Sequence, residues 1–439
     1  MQETKQEFLE RTKQYWNPGK TTDWQNFGVD LVIDRREGYH LYDMDGRRLI
    51  DVHLNGGTYN LGHRNPEVVA AVKEGMKYFD IGNHHFPSLM RTHVAQMLAE
   101  CTPEGLQYTI YASGGGEAID IALKCARHAT QRRKMICIDH CYHGHTGLAV
   151  QVGDDRFSKL FLSDAPQTEV VKVPFNDLEA IEREIRVGDA ACVIMETIPA
   201  TYGFPMPDEG YLSAIKAACE KVDTFFIADE VQTGLMRCGE IWGIDTYGVK
   251  PDILVTGKGL SGGIYPIGAV VVNERAGAWL KEDGWGHMST FGGAELGCIA
   301  AAKVLEISNR PEVRSMVHYI ARYMRNGLEQ LRKNYSDFFV GIRQRGVVIG
   351  LEFGHPEGAV HVMKALFNNG VWAIFSSLDQ RVLQFKPGIL VDKELCDEIL
   401  NRLDTALVQA RASAFNRGSA DRKTTSDKKV QREELADAA

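Results

Sequence analysis

Several features that define other classes of protein are missing from this 439-residue sequence. It contains no run of 18 apolar residues, which argues against a membrane-spanning helix, and its N-terminus lacks the apolar segment of a secretory signal. Basic residues are not in excess either: 50 Lys and Arg against 58 Asp and Glu give a net charge of −8, which disfavours a nucleic-acid partner. We therefore expect a cytoplasmic globular protein with neither nucleic-acid nor membrane partners.

The sequence also lacks the cysteine patterns of disulfide frameworks and metal sites. Its nine cysteines form no Cys-x-x-Cys pair, and their number is odd. Most lie in apolar stretches, such as those around Cys125 and Cys192, which predicts buried, reduced thiols. His143 and His145 are close in sequence, but no carboxylate or cysteine cluster accompanies them, so we expect no metal site.

What the sequence does contain is a series of seven short apolar runs within 165 residues, many of them separated by amphipathic segments. Strands that alternate with helices are typical of an α/β fold, with a mostly parallel sheet that is covered on both faces. We therefore predict a large domain with a seven-stranded sheet. The runs are 108–113, 135–140, 170–175, 191–196, 224–230, 252–258 and 267–272.

Changes in composition along the chain predict three parts and a tail. Residues 1–66 form an N-terminal segment with a hairpin-like stretch, which we expect to contribute to the small domain. Residues 67–310 form the large domain. Residues 311–413 are mainly helical with a few strand-like stretches, which predicts a smaller C-terminal α+β domain. Residues 414–439 are highly charged and are expected to be a disordered or loosely helical tail.

The first motif with chemical meaning is SGGGEAID, residues 113–120, between an apolar run and an amphipathic segment. Glycines at the start of a helix let backbone N–H groups approach an anion, and the helix dipole adds partial positive charge there. This pattern indicates a phosphate-binding turn. Glycine-rich turns of this kind also occur for packing alone, so this motif by itself leaves both interpretations open.

Two further motifs directly follow apolar runs. ADEVQTG places Asp229 after a buried strand, where it either binds a ligand or caps the next turn. TGKGLSGG places Lys258 between two glycines. Burial there would lower the pKa of Lys258 and make it a nucleophile, whereas a surface lysine would extend into solvent. A phosphate-binding turn, a buried carboxylate and a nucleophilic lysine together match the needs of pyridoxal 5′-phosphate (PLP).

With these motifs the sequence resembles the class III, or subgroup II, aminotransferases of PLP fold type I, from about residue 28 to 410. The resemblance implies transfer of an amino group from an amine or amino acid to a 2-oxo acid through a pyridoxamine intermediate. It also implies a large PLP-binding domain and a homodimer or higher even oligomer. The segments that carry it occur in family order: YDMDGRRLIDV, NLGHRNPEVVAAV, SGGGEA, YHGHTG, ADEVQTG, TGKGLSGG and STFGGAELGCIAA.

The resemblance also implies catalytic roles for individual residues. Lys258 would form the Schiff base with the cofactor and shuttle the proton at the substrate's α-carbon. Asp229 would pair with the pyridine nitrogen, and Gln232 would lie near the phenolic oxygen.

Five more residues would bind the cofactor without taking part in the proton transfer. Val231 would pack on one face of the ring, and Tyr142 would stack on the other. Gly115 and Gly116 would donate backbone N–H groups to the phosphate. Thr290 would reach the phosphate of the neighbouring subunit, which would make the dimer the catalytic unit.

The sequence departs from the family pattern at places that matter for binding. Gly116 replaces a residue that usually carries a hydroxyl group. Gln384 stands where the family has the arginine that grips a substrate α-carboxylate. Because side chains alternate along a strand, Lys386 should share the face of Gln384, and Arg381 should point to the other face. We therefore expect a donor other than ornithine, acetylornithine or 4-aminobutyrate.

Two other activities remain open at this point. An amino-acid epimerase or aminomutase of the same family would need the same PLP site. A protein that binds PLP without turnover is a more distant alternative, because Lys258, Asp229 and Gln232 are all present.

Overall fold

A computed structural model describes residues 3–82 and 85–436, with side chains described as far as residue 415. The strands are β1 (Ile33–Glu37), β2 (His40–Asp43), β3 (Arg48–Asp51), β4 (Leu106–Ala112), β5 (Lys134–Ile138), β6 (Val170–Val173), β7 (Ala190–Glu196), β8 (Phe225–Asp229), β9 (Ile253–Thr256), β10 (Gly268–Asn273), β11 (Phe339–Arg345), β12 (Val348–Phe353), β13 (Val371–Trp372), β14 (Ile374–Ser376) and β15 (Asp379–Phe385).

The helices follow these strands in the alternation that the sequence predicts. They are α1 (Lys5–Tyr15), α2 (Pro18–Asn26), α3 (Leu54–Gly57), α4 (Pro66–Gly75), α5 (Leu89–Cys101), α6 (Gly115–Thr130), α7 (Gly147–Gln151), α8 (Asp155–Leu160), α9 (Leu178–Arg186), α10 (Tyr211–Lys221), α11 (Trp279–Glu282), α12 (Glu295–Ser308), α13 (Pro311–Asn334), α14 (Gly358–Asn368) and α15 (Lys393–Ala436). Two short 3₁₀ turns lie at Gly243–Tyr247 and Lys258–Ser261.

The central sheet has seven strands in the order β4-β10-β9-β8-β7-β5-β6. The pairs from β9 to β6 are parallel, whereas β10 is antiparallel to both β4 and β9. Each strand overlaps one of the seven predicted runs, so the predicted mostly parallel α/β sheet is confirmed.

Both faces of this sheet are covered. Along β5, Met135 and Cys137 belong to one hydrophobic cluster, while Ile136 and Ile138 belong to another on the opposite face. All seven residues of β7 are buried. A strand that is buried on both faces cannot show a polar alternation, which is why these strands appear in the sequence as continuous apolar runs.

The N-terminal strands form a sheet together with a strand from the C-terminal part of the chain. Its order is β1-β2-β3-β13, and β13 runs parallel to β3, with Val371 opposite Ile50. A third, antiparallel sheet has the order β11-β12-β15-β14. The backbone N–H of Lys386, just after β15, donates a 2.7 Å hydrogen bond to the carbonyl of Val52, just after β3. The ends of these two sheets therefore meet.

The last helix, α15, continues past the residues assigned to the C-terminal domain. Its backbone is helical from Lys393 to Ala436 and so runs through most of the segment 414–439, which we expected to be disordered or loosely helical. Between Lys393 and Ala414 this helix packs on the C-terminal domain through buried residues such as Cys396 and Leu403. No proline follows Pro387, so no residue of this segment is barred from a helix.

Candidate active site

Four polar side chains lie at or just beyond the carboxyl ends of neighbouring parallel strands of the central sheet. Glu196 ends β7, Asp229 ends β8, and Lys258 comes two residues after β9. Tyr142 lies in the loop after β5. Ligands of α/β sheets bind at this edge because the loops leave a crevice there. The strand order thus brings together residues that are more than 100 positions apart in the sequence.

Lys258 starts a 3₁₀ turn in a conformation that a lysine rarely adopts, with φ of +38°. Burial lowers the pKa of its amine below the ordinary value, against the opposing effect of the Asp229 and Glu196 carboxylates. A lower pKa leaves more of the amine in the neutral, nucleophilic form.

A glycine from the N-terminal segment packs directly against Lys258. Gly56 has φ of +71°, and a Cβ atom at this position would lie 3.0 Å from Cε of Lys258 and 2.7 Å from Oε1 of Gln232. Only a residue without a side chain fits there. No sequence pattern predicts this contact, because about 200 residues separate Gly56 from Lys258.

Asp229 is buried and is held by two hydrogen bonds. Its Oδ1 accepts from the backbone N–H of Val231 at 3.0 Å, and its Oδ2 lies 2.7 Å from Nδ1 of His143. Burial alone would lower the pKa of His143, but the neighbouring Cys141 and the hydrogen bond to Asp229 raise it well above its ordinary value. His143 is therefore a basic partner of the Asp229 carboxylate and helps to fix the position of its side chain.

The contact between His143 and Asp229 is one that the sequence reasoning missed, because it considered His143 only as a metal ligand. The predicted burial of Asp229 could have pointed to this contact, because a buried carboxylate without a partner is costly. His143 lies in YHGHTG, a loop that follows a strand of the same sheet. Such a loop can supply the partner that the carboxylate needs.

Glu196 supports the loops around the site. It lies opposite Asp229 in the β7–β8 pairing, and its carboxylate accepts from the backbone N–H groups of Tyr142 and Ala200, each at 3.1 Å. Burial raises the pKa of Glu196 to about 7. Tyr142 itself is half-buried and makes an edge-to-face contact with Phe157, with 5.6 Å between ring centroids.

The remaining predicted cofactor residues lie around an uncapped helix end. Gly115 and Gly116 start α6, whose N-terminus has no side-chain cap. Val231 lies beside them: a Cβ atom on Gly115 would be 3.1 Å from its Cγ1. Gln232 carries a buried amide nitrogen, Nε2, without a hydrogen-bond partner among the described residues.

Thr290 is exposed, in the loop between α11 and α12. The same loop reaches the first turn of α6, because Nε2 of His287 lies 3.7 Å from Oε1 of Glu117.

Two basic side chains are buried near the lysine. Lys386 is completely buried, and Nζ of Lys386 donates to Oε1 of Gln384 at 2.6 Å. Arg381 pairs instead with Asp379, so it points away from Gln384 as the alternation predicts. Arg237 is also fully buried and donates to the carbonyl of Pro387 at 2.7 Å. The sequence reasoning did not single out Arg237.

The comparisons with known proteins agree with this geometry. Residues 23–407 match the family described as aminotransferase class-III. The chain is 42% identical over 403 residues to an uncharacterized aminotransferase of Archaeoglobus fulgidus, covering 92% of this chain and 94% of the relative. It is 31% identical to a putrescine aminotransferase of Pectobacterium atrosepticum, covering 92% and 88%. The fold matches the ornithine aminotransferase of Toxoplasma gondii with a TM-score of 0.83 at 24% identity, covering 94% and 97%.

The fold and the site thus define a PLP fold type I enzyme, and the chain belongs to the class III aminotransferases. It is a PLP-dependent transaminase that acts on amines or amino acids and 2-oxo acids. Its residues fit that cofactor, because the unpaired Nε2 of Gln232 and the uncapped start of α6 leave donors for an anionic ligand.

Two negative findings complete the description. Within residues 3–82 and 85–436, no helix is long and apolar enough to span a lipid bilayer. The same residues contain no cluster of three or more His, Cys, Asp or Glu side chains that could hold a metal ion.

Proposed function

We propose that the crevice between Lys258 and the start of α6 is the active site of this transaminase. The observation that carries the proposal is the arrangement of Lys258 and Asp229 at the ends of adjacent strands, with the unpaired amide of Gln232 beside the lysine. When bound there, PLP supplies an electrophilic carbonyl carbon and an electron-withdrawing ring.

The residues of the chain divide the work in the following way. Lys258 supplies the neutral amine that holds the cofactor, and its Nζ then takes and returns the substrate's proton. Asp229, fixed by His143, would supply a negative charge to the pyridine nitrogen. Gln232 would donate its free N–H group to the phenolic oxygen.

The remaining side chains and backbone groups would bind the cofactor. Val231 and Tyr142 would pack against the ring. The backbone N–H groups of Gly115 and Gly116 would bind the phosphate, which the dipole of α6 would also stabilise.

Reduction with borohydride tests the assignment of the lysine. Treating the holoenzyme should fix the cofactor to Lys258, and mass spectrometry of the digested protein should find the adduct on the peptide that contains it. Lys386 is the informative competitor, since it is also buried and lies close enough for its charge to repel that of Lys258. An adduct on Lys386, or on any other lysine, would refute the assignment.

We further propose that the amino donor is an amine, or an amino acid whose carboxylate is bound without an arginine at position 384. The neutral amide of Gln384 cannot form the bidentate ion pair that arginine forms with a carboxylate. The relative named putrescine aminotransferase, whose name denotes an amine donor, supports this direction.

A panel of donors tests this substrate proposal. Each donor is mixed with the holoenzyme without an acceptor, and conversion of the cofactor to its amine form is followed by absorbance. Pyruvate and 2-oxoglutarate are then compared as acceptors. If ornithine or acetylornithine with 2-oxoglutarate proves the best pair, the inference from Gln384 is wrong.

We also propose that the active unit is a homodimer or a higher even oligomer. Five large apolar side chains from two adjoining segments are more than half exposed around Thr290, and such patches mark interaction surfaces. They are Phe86, Leu89, Trp285, Met288 and Phe291. A second copy of the chain that covers this patch would bring Thr290 towards the partner's cofactor site.

Light scattering of the variant Phe291→Asp tests the oligomer. A charge in the patch should dissociate the assembly and weaken PLP binding. The matched control is Leu162→Asp, because Leu162 is 91% exposed and lies far along the chain from the patch. A monomeric wild-type protein with full activity would contradict the proposal.

The cytoplasm is the compartment we propose for this enzyme. All nine cysteines are unpaired in the structure, and eight of them are buried. Reduced thiols are typical of reducing compartments. Fractionation of cells from the source organism, with activity measured in each fraction, tests this assignment.

A further inference from the structure

The phosphate-binding end of α6 has a contact that its own sequence motif does not predict. A Cβ atom on Gly116 would lie 3.1 Å from Oγ1 of Thr146. The hydroxyl group of Thr146 therefore occupies the space beside the first turn of α6 that a side chain at position 116 would need.

Two glycines make this close approach possible. A Cβ atom on Gly144 would lie only 2.8 Å from Cα of Gly116, and Gly144 has φ of +114°, a conformation that favours glycine. The loop that carries Thr146 can lie this close to the helix start because Gly144 has no side chain, and a side chain at position 116 would crowd Oγ1 of Thr146. Position 116 thus carries no hydroxyl group, and the neighbouring loop places the hydroxyl group of Thr146 beside it.

The hydroxyl group of Thr146 is available for a ligand. Thr146 is the N-cap residue of α7, but its side chain makes no capping hydrogen bond. That role is taken by Asp120 of α6, whose Oδ1 accepts from the backbone N–H of Ala149 at 2.7 Å. The Thr146 side chain is exposed, and no partner for its hydroxyl is recorded within residues 3–82 and 85–436.

We propose that Thr146 donates its hydroxyl hydrogen to the phosphate of the cofactor, in place of the side chain that Gly116 lacks. This inference rests on the proposed function, which places the phosphate at the start of α6. A hydroxyl group that donates to a phosphate oxygen forms a charge-assisted hydrogen bond, stronger than one between neutral groups. Thr146 is then a cofactor-binding residue that lies outside the glycine motif.

Titration of the apoenzyme with two ligands tests the proposal. Thr146→Val keeps the shape of the side chain and removes the hydroxyl. It should weaken PLP binding by about tenfold, the size expected for one hydrogen bond to a charged group. Binding of pyridoxal, which has no phosphate, should not change. Thr146→Ser should bind PLP about as well as wild type.

A pair of coupled variants gives an independent check. Gly116→Ser alone should also weaken PLP binding, because the new side chain would meet Oγ1 of Thr146. Adding Thr146→Ala should relieve that contact and let the serine hydroxyl reach the phosphate. The double variant should therefore bind PLP more tightly than either single variant.

The possible failures can be told apart. If Thr146→Val binds PLP within about twofold of wild type, or loses affinity for pyridoxal to the same extent, the role of Thr146 is refuted. The same holds if the double variant binds as weakly as Thr146→Ala. If the wild-type protein gives no borohydride adduct on Lys258, the proposed active site fails as well.

Discussion

The side-chain amine of Lys386 donates a 2.6 Å hydrogen bond to Oε1 of Gln384, and both residues are buried. Because Lys386 engages the amide oxygen of Gln384, the N–H₂ group of Gln384 lies on the side away from Lys386. Gln384 therefore presents donors, and no negative charge, on its free side. Such a group can bind a carboxylate or a carbonyl oxygen, with Lys386 holding it in position.

This relationship predicts a specific loss of substrate binding in Gln384→Met. The KM for a 2-oxo acid should rise about tenfold, as expected for one lost hydrogen bond to a charged group. The kcat and KM for an amine donor without a carboxylate should change little. Arg381→Gln is the matched control, since Arg381 pairs with Asp379 on the other face of the strand. Equal losses for both kinds of substrate would contradict a role in carboxylate binding.

A second prediction concerns the pH dependence of stability. Burial holds the pKa of Lys386 well below its usual range, and the charges of Arg237 and Lys258 act in the same direction. From the native pKa up to about 10.4, the unfolded chain binds a proton that the folded chain does not. Stability should therefore rise with pH across that window, by at most about 1.4 kcal/mol per pH unit from this group.

Urea unfolding of wild type and Lys386→Met checks this expectation. Measured at about pH 7 and about pH 9, the free energy of unfolding should increase more for the wild type than for the variant. Parallel pH curves for the two proteins would show that Lys386 does not change its protonation on folding.

The third prediction concerns the negative charge of Asp229, which we propose pairs with the pyridine nitrogen of the cofactor. Asp229→Asn keeps the shape of the side chain but removes the negative charge, so kcat should fall by at least about a hundredfold. His143→Gln should have a smaller effect, because it leaves the carboxylate but removes its basic partner. Steady-state kinetics with one donor and one acceptor would measure both. An Asp229→Asn enzyme with a near-native rate would mean that the carboxylate is purely structural.

The fourth prediction separates backbone strain from contact with Lys258, the proposed catalytic lysine. Gly56→Ala would place a methyl group against Gln232 and Lys258, and φ of +71° adds strain. Gly46→Ala has the same kind of strain, at φ of +79°, but no atom lies within 4 Å of its new methyl group. Gly46→Ala should lose about 1 kcal/mol of stability and keep its activity, whereas Gly56→Ala should lose more stability and also lose activity. Equal activities would rule out a role for the Gly56 contact.

Features of this enzyme that depend on neighbouring residues in the sequence could be predicted, whereas contacts between distant parts of the chain could not. The strands at the centre of the sheet were predictable because burial on both faces makes β7, β8 and β9 local apolar runs. Lys258 and Asp229 were predictable because both follow such runs directly. The pairing of β13 with β3 left no local signal, since about 320 residues separate Val371 from Ile50 and only the folded register brings them together.

The residues that were missed share a physical reason. His143, Gly56 and Thr146 matter through partners on other segments: Asp229, Lys258 and Gly116 respectively. The contacts of these three residues cannot be predicted from the short sequence around each of them.

The contact between the N-terminal segment and the C-terminal domain has a mechanical consequence for Lys258, the lysine that we propose holds the cofactor. The backbone N–H of Lys386 donates to the carbonyl of Val52, and Gly56 of the same N-terminal segment lies against the side chain of Lys258. A displacement of the C-terminal domain relative to the large sheet would thus be transmitted through residues 52–56 to the side chain of Lys258. The position of this side chain is set partly by a segment more than 300 residues further along the chain than Val52.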